Sequence, residues 1–339
     1  MKAVIRAIAA HLPERELTNR ELAEQLGGEW TAEKMLEKTG IAARRVAGPD
    51  ECASDLGVKA AQSLLDATAF PREQIDYLLF VTQTPDYFMP STACLVQDRL
   101  GLPTSCGAID IGQGCSGWVY GLSVAKSLIE SEVVRNVLLV TADTASKYMN
   151  PRDRSVRTIF GDGAAATLLT ADASAQEMVG PFVFGTDGRG VESIVIPAGG
   201  FRNPASDERR VAREGKDGIW RSEADIHMNG PEVFNFTLQS VPKAIRALLA
   251  KAGRTMDDVD LFIFHQANRF MLDRLRAKME IPEDRFCIDL EWCGNTTSSS
   301  IPIALSRAVA AGRVQPGMRV MAVAFGVGYS WAAAMITAA

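Results

Sequence analysis

Only three histidines occur in the 339 residues, so any histidine-dependent chemistry must draw on His11, His227 or His265. Six cysteines, at positions 52, 94, 106, 115, 287 and 293, form no CxxC pair and no Cys/His cluster with zinc-like spacing. A chain this long buries a large core without a disulfide framework, so reduced thiols and no bound metal are expected. Basic residues are outnumbered, 36 against 41 acidic, for a net charge of -5. No overall positive field exists to gather nucleic acid or anionic lipid. The opening stretch MKAVIRAIAAHLPERE is interrupted by Arg6 and followed quickly by His11 and Pro13. It is too short for a secretory h-region and far too short to span a bilayer, which predicts a cytoplasmic protein with no membrane partner. Neither Gly161-Asp-Gly163 nor Phe325-Gly-Val-Gly328 completes a dinucleotide fingerprint, which argues against NAD.

What is present is a repeat. Asp76-Tyr-Leu-Leu-Phe-Val-Thr-Gln-Thr84 and Asp260-Leu-Phe-Ile-Phe-His-Gln-Ala-Asn268 both read as buried strands opened by an acid and ending polar. Downstream of each lies a Gly-led, small-residue segment with the character of a buried helix, residues 114–125 and 294–305. Another strand follows in each case, residues 136–141 and 318–325. Strand, helix, strand recurring at about half the chain length predicts two α/β halves related by a pseudo-twofold axis, residues 1–171 and 172–339, with sheets covered on both faces. Cys115 and Asn295 then fall at equivalent helix starts, where unpaired N–H groups and the positive dipole end favour a thiolate. The charged stretch 199–218, broken by Gly and Pro, reads as a surface loop.

Cys115 sits in Asp110-Ile-Gly-Gln-Gly-Cys-Ser-Gly-Trp118, whose glycines permit a sharp strand-to-helix turn. An isolated cysteine is more often a small packed residue; the glycine turn is what separates Cys115 from the other five. His265 follows an apolar strand, the position where α/β proteins place ligand-facing groups, although a lone histidine there is commonly a satisfied core residue. Asn295 alone would be read as a helix N-cap. The Phe325-Gly-Val-Gly-Tyr loop after the last strand pair is placed to offer a backbone N–H to an oxyanion.

Taken together, Gly114-Cys-Ser-Gly117, Phe160-Gly-Asp-Gly-Ala-Ala165, His265-Gln-Ala-Asn268, Gly294-Asn-Thr296 and the closing Phe-Gly-x-Gly loop closely resemble the ketoacyl-ACP synthase III family of the thiolase-like superfamily. The likeness runs from about Thr39 to the C-terminus. It implies a five-layered αβαβα subunit of two duplicated halves, working as a homodimer without a cofactor on acyl-CoA and acyl carrier protein thioesters. The family's Cys-His-Asn set carries over to Cys115, His265 and Asn295, with the N–H groups of Cys115 and Val327 as the oxyanion hole. His plus Asn is the pair associated with decarboxylating condensation, which the resemblance therefore implies here. Two rivals are simple acyl transfer to an oxygen, nitrogen or sulfur acceptor, which Asn295 argues against, and a silent partner subunit, which the intact set argues against.

The resemblance further implies substrate contacts from Lys38, Met89, Arg154, Phe160, Met228, Asn229, Gly230, Phe234, Asn268 and Phe325, and carrier docking by Arg269. Lys34 stands where the best-known members have a tryptophan that stacks on the CoA adenine. Arg269 then Phe270 reverses the family's usual order of an aliphatic residue followed by the docking arginine. Met89 stands where acetyl-selective members have a phenylalanine closing the acyl pocket across the dimer, so a flexible methionine predicts room for a longer chain.

Overall fold

The acid that opens each repeated strand has a structural task. In the computed structural model, which describes residues 1–173 and 176–339, the Asp76 carboxylate accepts the amides of Arg135 and Asn136 at 2.8 Å each. Asp260 accepts that of Arg319 at 2.7 Å. In both halves the acid therefore pins the start of the neighbouring strand, which is why the same residue type recurs half a chain apart.

The first sheet is built from β1 (Lys2–His11), β2 (Tyr77–Val81), β3 (Gly107–Ile111), β4 (Asn136–Asp143) and β5 (Gly163–Asp172). The second uses β6 (Val179–Thr186), β7 (Leu261–Phe264), β8 (Phe286–Cys287), β9 (Arg319–Gly326) and β10 (Ser330–Thr337). Their orders, β1-β5-β4-β2-β3 and β6-β10-β9-β7-β8, are the same when five is added to each label. So are the directions: β4, β2 and β3 run parallel, as do β9, β7 and β8, while the remaining pairs are antiparallel. The all-apolar runs of β2 and β7 are buried on both faces, as central parallel strands require.

Helices fill three layers around these sheets. α1 (Ala53–Thr68) and α2 (Thr92–Arg99) cover the outer face of the first sheet. α3 (Gly117–Glu130) lies between the sheets, α4 (Gly230–Ala252) and α5 (Arg269–Lys278) cover the second sheet, and α6 (Ser300–Ala310) shares the central layer with α3. Trp118 of α3 is buried there and donates its indole N–H to Thr167 Oγ1 of β5 at 3.0 Å. The expected αβαβα order is thus observed.

Boundaries differ in instructive ways. The expected strands over 76–84 and 260–268 stop at Val81 and Phe264, and their polar ends become loops. Counted back from the helices, the counterpart of Cys115 is Ser298 and not Asn295: Cys115 lies two residues before α3, whereas Asn295 lies five before α6 with a 3-10 turn, Thr297–Ser299, between them. The stretch 199–218 is a largely exposed loop, as expected, with its end tied back by a two-residue pairing of Arg213–Glu214 with Trp220–Arg221. No helix among the described residues is long and apolar enough to cross a membrane.

Candidate active site

Cys115, His265 and Asn295 all follow carboxyl ends of parallel strands, β3, β7 and β8, so the fold delivers them to one side of both sheets. One cavity brings the three together, lined also by Phe160, Met228, Gly230, Val233, Asn268, Phe325 and Gly326. A second cavity opens from Cys115 in another direction, past Gln83, Thr84, Asp143, Tyr148, Ile194, Ile196 and Val327. Cys115, Phe160 and Ile194 are common to both. The thiol thus stands where a tunnel meets a mostly apolar chamber.

The glycine loop after β9 is shaped around the sulfur. A Cβ on Gly326 would lie 2.7 Å from Cys115 Cβ and 2.8 Å from Sγ, so no other residue fits without displacing the nucleophile. The next residue, Val327, directs its amide at the thiol, and the amide of Cys115 itself acts in the same sense. These two donors are where an oxyanion hole is expected. Cys115 is nonetheless no resting thiolate. Burial, followed by the nearby Asp143 carboxylate, pushes its thiol up to about 12, and the two amides only partly oppose this.

His265 is held neutral for the same reason: burial pulls it down to about 3. Its Nδ1 lies 2.7 Å from Ser300 Oγ on α6, and that oxygen also accepts the Gln266 amide at 3.3 Å. The tautomer protonated at Nε2 fits this network, with Nδ1 accepting the serine hydroxyl and the Nε2–H left for the cavity. Phe325 meets the ring edge-to-face, with centroids 5.5 Å apart.

Asn295 is locked by the first half of the fold. Its amide donates to Ile159 O at 2.9 Å and its carbonyl accepts from Gly161 N at 3.0 Å. A Cβ on Gly161 would sit 2.2 Å from Cys293 O, which explains why the Phe160-Gly-Asp-Gly and Gly294-Asn-Thr motifs occur together. The side-chain Oδ1 accepts the Thr297 amide at 2.9 Å, leaving Nδ2 as the group free to donate into the cavity.

Met228 and Gly230 line the tunnel, and Asn229 lies at its outer mouth while capping α4 through Glu232 N. Asn268 likewise lines the tunnel and caps α5. Four others expected at the substrate, and Arg269, expected at carrier docking, stand outside both cavities. Arg154 donates to the carbonyls of Asp217 and Gly218, 3.0 Å each, so its guanidinium braces the loop that ends at Gly218. Lys38 is an exposed residue of the helix Ala32–Thr39, with Nζ 5.0 Å from the Trp30 ring centroid. Phe234 stacks on Phe270 at 5.4 Å, and Arg269 is half exposed with Asp273 3.7 Å away. Met89 is 82% exposed, beside the equally exposed Phe88.

Sequence reasoning missed Ser300, Gln83 and Asp143. Ser300 belongs to a Thr-Thr-Ser-Ser-Ser run that offers no way to choose one hydroxyl, and Asp143 reads simply as the end of a strand. Among the described residues no group of three or more His, Cys, Asp or Glu side chains is placed to hold a metal.

A cysteine in the turn that leads into the central helix of a duplicated αβαβα subunit, sharing a cavity with His and Asn from the second half, defines a thiolase-like condensing-enzyme fold. The 3-oxoacyl-[acyl-carrier-protein] synthase III model matches residues 109–188 and its C-terminal companion matches 249–338. The beta-ketoacyl-[acyl-carrier-protein] synthase III of Caldanaerobacter subterraneus subsp. tengcongensis is 36% identical over 336 residues, covering 98% of this chain and 97% of that protein. A crystal structure of a 3-oxoacyl-(acyl-carrier-protein) synthase III superposes with a TM-score of 0.97 at 51% identity, covering 99% of this chain and 100% of that one. A 3-oxoacyl-(acyl-carrier protein) synthase from Burkholderia xenovorans LB400 gives 0.91 at 35% identity, covering 100% and 94%. The chain belongs to the beta-ketoacyl-[acyl-carrier-protein] synthase III family.

Proposed function

We propose that the chain is a decarboxylating condensing enzyme that joins an acyl group from an acyl-CoA or acyl-ACP to malonyl-ACP. The convergence of Cys115, His265 and Asn295 on one cavity, with Nε2 and Nδ2 both available as donors, carries this reading. The Cys115 sulfur attacks the acyl thioester and its proton leaves with the departing thiol, the oxyanion being held by the amides of Cys115 and Val327. Malonyl thioester then loses CO₂, and the electron pair moves onto a thioester oxygen facing His265 and Asn295. The enolate carbon attacks the acyl group, releasing 3-oxoacyl-ACP, and the Cys115 sulfur regains a proton. No resident cofactor enters the scheme, and a cytoplasmic setting would keep the six thiols reduced.

The test is a panel of acyl-CoAs with mass spectrometry of the acylated residue, followed by malonyl-ACP and CO₂ measurement. An adduct on Cys115 followed by CO₂ release is expected. An adduct without CO₂ release would favour simple acyl transfer.

His265 yields a pH prediction. Its folded value is depressed from 6.5 to about 3, so the ring stays a neutral donor well below the ordinary histidine range. CO₂ release by the acylated enzyme is expected to show no acid limb near pH 6.5. A limb at that value would mean that His265 takes up a proton in the ordinary histidine range and loses its function as the imidazolium, which overturns the depressed value. The sign for stability is opposite in character: between 6.5 and about 3 the unfolded chain takes up a proton the folded chain refuses, so His265 weakens the fold as pH falls through that window.

A homodimer fits the exposed apolar groups Tyr87, Phe88, Met89 and Phe201, and the free edge of β3, where Ile109 is 40% exposed. In that arrangement Met89 reaches the partner's acyl chamber. Met89→Phe is expected to move the acyl-CoA preference to shorter chains, read as relative adduct yields across the panel; an unchanged profile removes Met89 from the chamber.

A further inference from the structure

Asp143 ends β4, is 1% exposed and lines the chamber beside Cys115. Only donors face its carboxylate in the hydrogen-bond network. From the first half come the Gln83 amide at 2.8 Å and the Thr82 hydroxyl at 3.4 Å; from the second come the Ser298 hydroxyl at 2.6 Å and the Thr297 hydroxyl. Thr297 is a β-branched residue at φ +50, a conformation such residues rarely adopt unless their surroundings impose it. Its hydroxyl is tied to Asp143, while its amide is tied to Asn295 Oδ1 at 2.9 Å. On the opposite side, Ile159 and Gly161 grip the Asn295 backbone.

We propose that Asp143 is a positioning residue that reaches across the two halves of the fold and, through Thr297, holds the Asn295 amide in its donating orientation. Asp143 does not touch the reacting atoms in this role. The same carboxylate works against Cys115, since a buried anion next to a thiol disfavours the thiolate. One residue therefore hinders the first chemical step and serves the second, and the two effects separate on mutation. The titratable groups around Cys115 are Asp143 from β4, itself pushed up by burial against its four hydrogen-bond donors, and the neutral His265 after β7; Asp162, just before β5, is a second buried carboxylate, on which Asp143 acts.

The test uses Asp143→Asn with three readouts: the pH dependence of Cys115 alkylation by iodoacetamide, resolved by peptide; the rate of acyl-adduct formation; and CO₂ release from malonyl thioester by the acyl-enzyme. The alkylation midpoint is expected to move to lower pH and acylation to proceed at least as fast as in the unmodified enzyme. CO₂ release is expected to fall roughly 10- to 100-fold, the scale of a donor displaced by a fraction of its length. Unchanged CO₂ release overturns the proposal, as does a joint slowing of both steps with the alkylation midpoint unmoved. Thr297→Val keeps the charge and removes the link, so it should lose CO₂ release with no shift in alkylation, and Thr297→Ser should restore much of the loss. Equal CO₂ release by the Val and Ser variants would also overturn it, even where Asp143→Asn does not fold. The proposal rests on Asn295 serving decarboxylation: unmodified enzyme that acylates without releasing CO₂ fails that reading, whereas the Asp143 effect on alkylation remains measurable.

Discussion

Cys115→Ala is expected to abolish acyl-adduct formation and to lower condensation by on the order of 10⁶-fold, the scale seen when a covalent nucleophile is removed from a set of residues acting as a unit. No other thiol is placed to take over. Cys293 is buried two residues from Asn295, but burial pushes it to about 12, and its sulfur is turned toward the carbonyls of Asp289 and Gly294. Cys287 and Cys106 are likewise buried and pushed to about 11. Cys94 is exposed on α2 and will react with small electrophiles, so the measurement must be peptide-resolved mass spectrometry after acyl-CoA exposure and not a count of free thiols. Acyl groups recovered on any cysteine of the Ala variant, with condensation retained, would dismiss Cys115 as the carrier.

The double architecture was legible because both halves obey the same local rules. Asp76 and Asp260 open apolar runs half a chain apart, and the structure shows each pinning the next strand. Cys115 was legible because its glycine turn is a local pattern, whereas His265 and Asn295 became candidates through the repeat and the family resemblance. Register within the second half was not: the 3-10 turn at Thr297–Ser299 inserts extra chain before α6, so Asn295 is no mirror of Cys115. Arg154 shows the limit of reading charge from position. In the sequence it stands between Arg152 and Arg157; in three dimensions its donors are spent on the carbonyls of residues 217 and 218, more than sixty positions away. Ser300 and Asp143 were invisible for the same reason, since their meaning lies in partners contributed by the other strand ends.

Replacing Asn295 by Ala should leave acylation of Cys115 near its original rate and reduce CO₂ release about 10²- to 10³-fold, the usual loss when one preorganised donor to a developing oxyanion is removed. The separation follows from the geometry. Acylation relies on the sulfur and on the amides of Cys115 and Val327, which belong to the α3 turn and the loop after β9. Asn295 belongs to neither. It enters only when charge collects on the malonyl thioester oxygen, where Nδ2 is the group left free by the Thr297 bond to Oδ1. Alanine also deletes that Oδ1 acceptor, so part of its effect could come from a relaxed turn. Asn295→Asp distinguishes the two causes, because it keeps an acceptor for the Thr297 amide and replaces the donor with an oxygen. An Asp variant as impaired in CO₂ release as the Ala variant, with acylation intact in both, assigns the loss to the missing donor. An Asp variant that decarboxylates like the unmodified enzyme would show that Asn295 only supports the turn, leaving His265 as the donor to the enolate from this set.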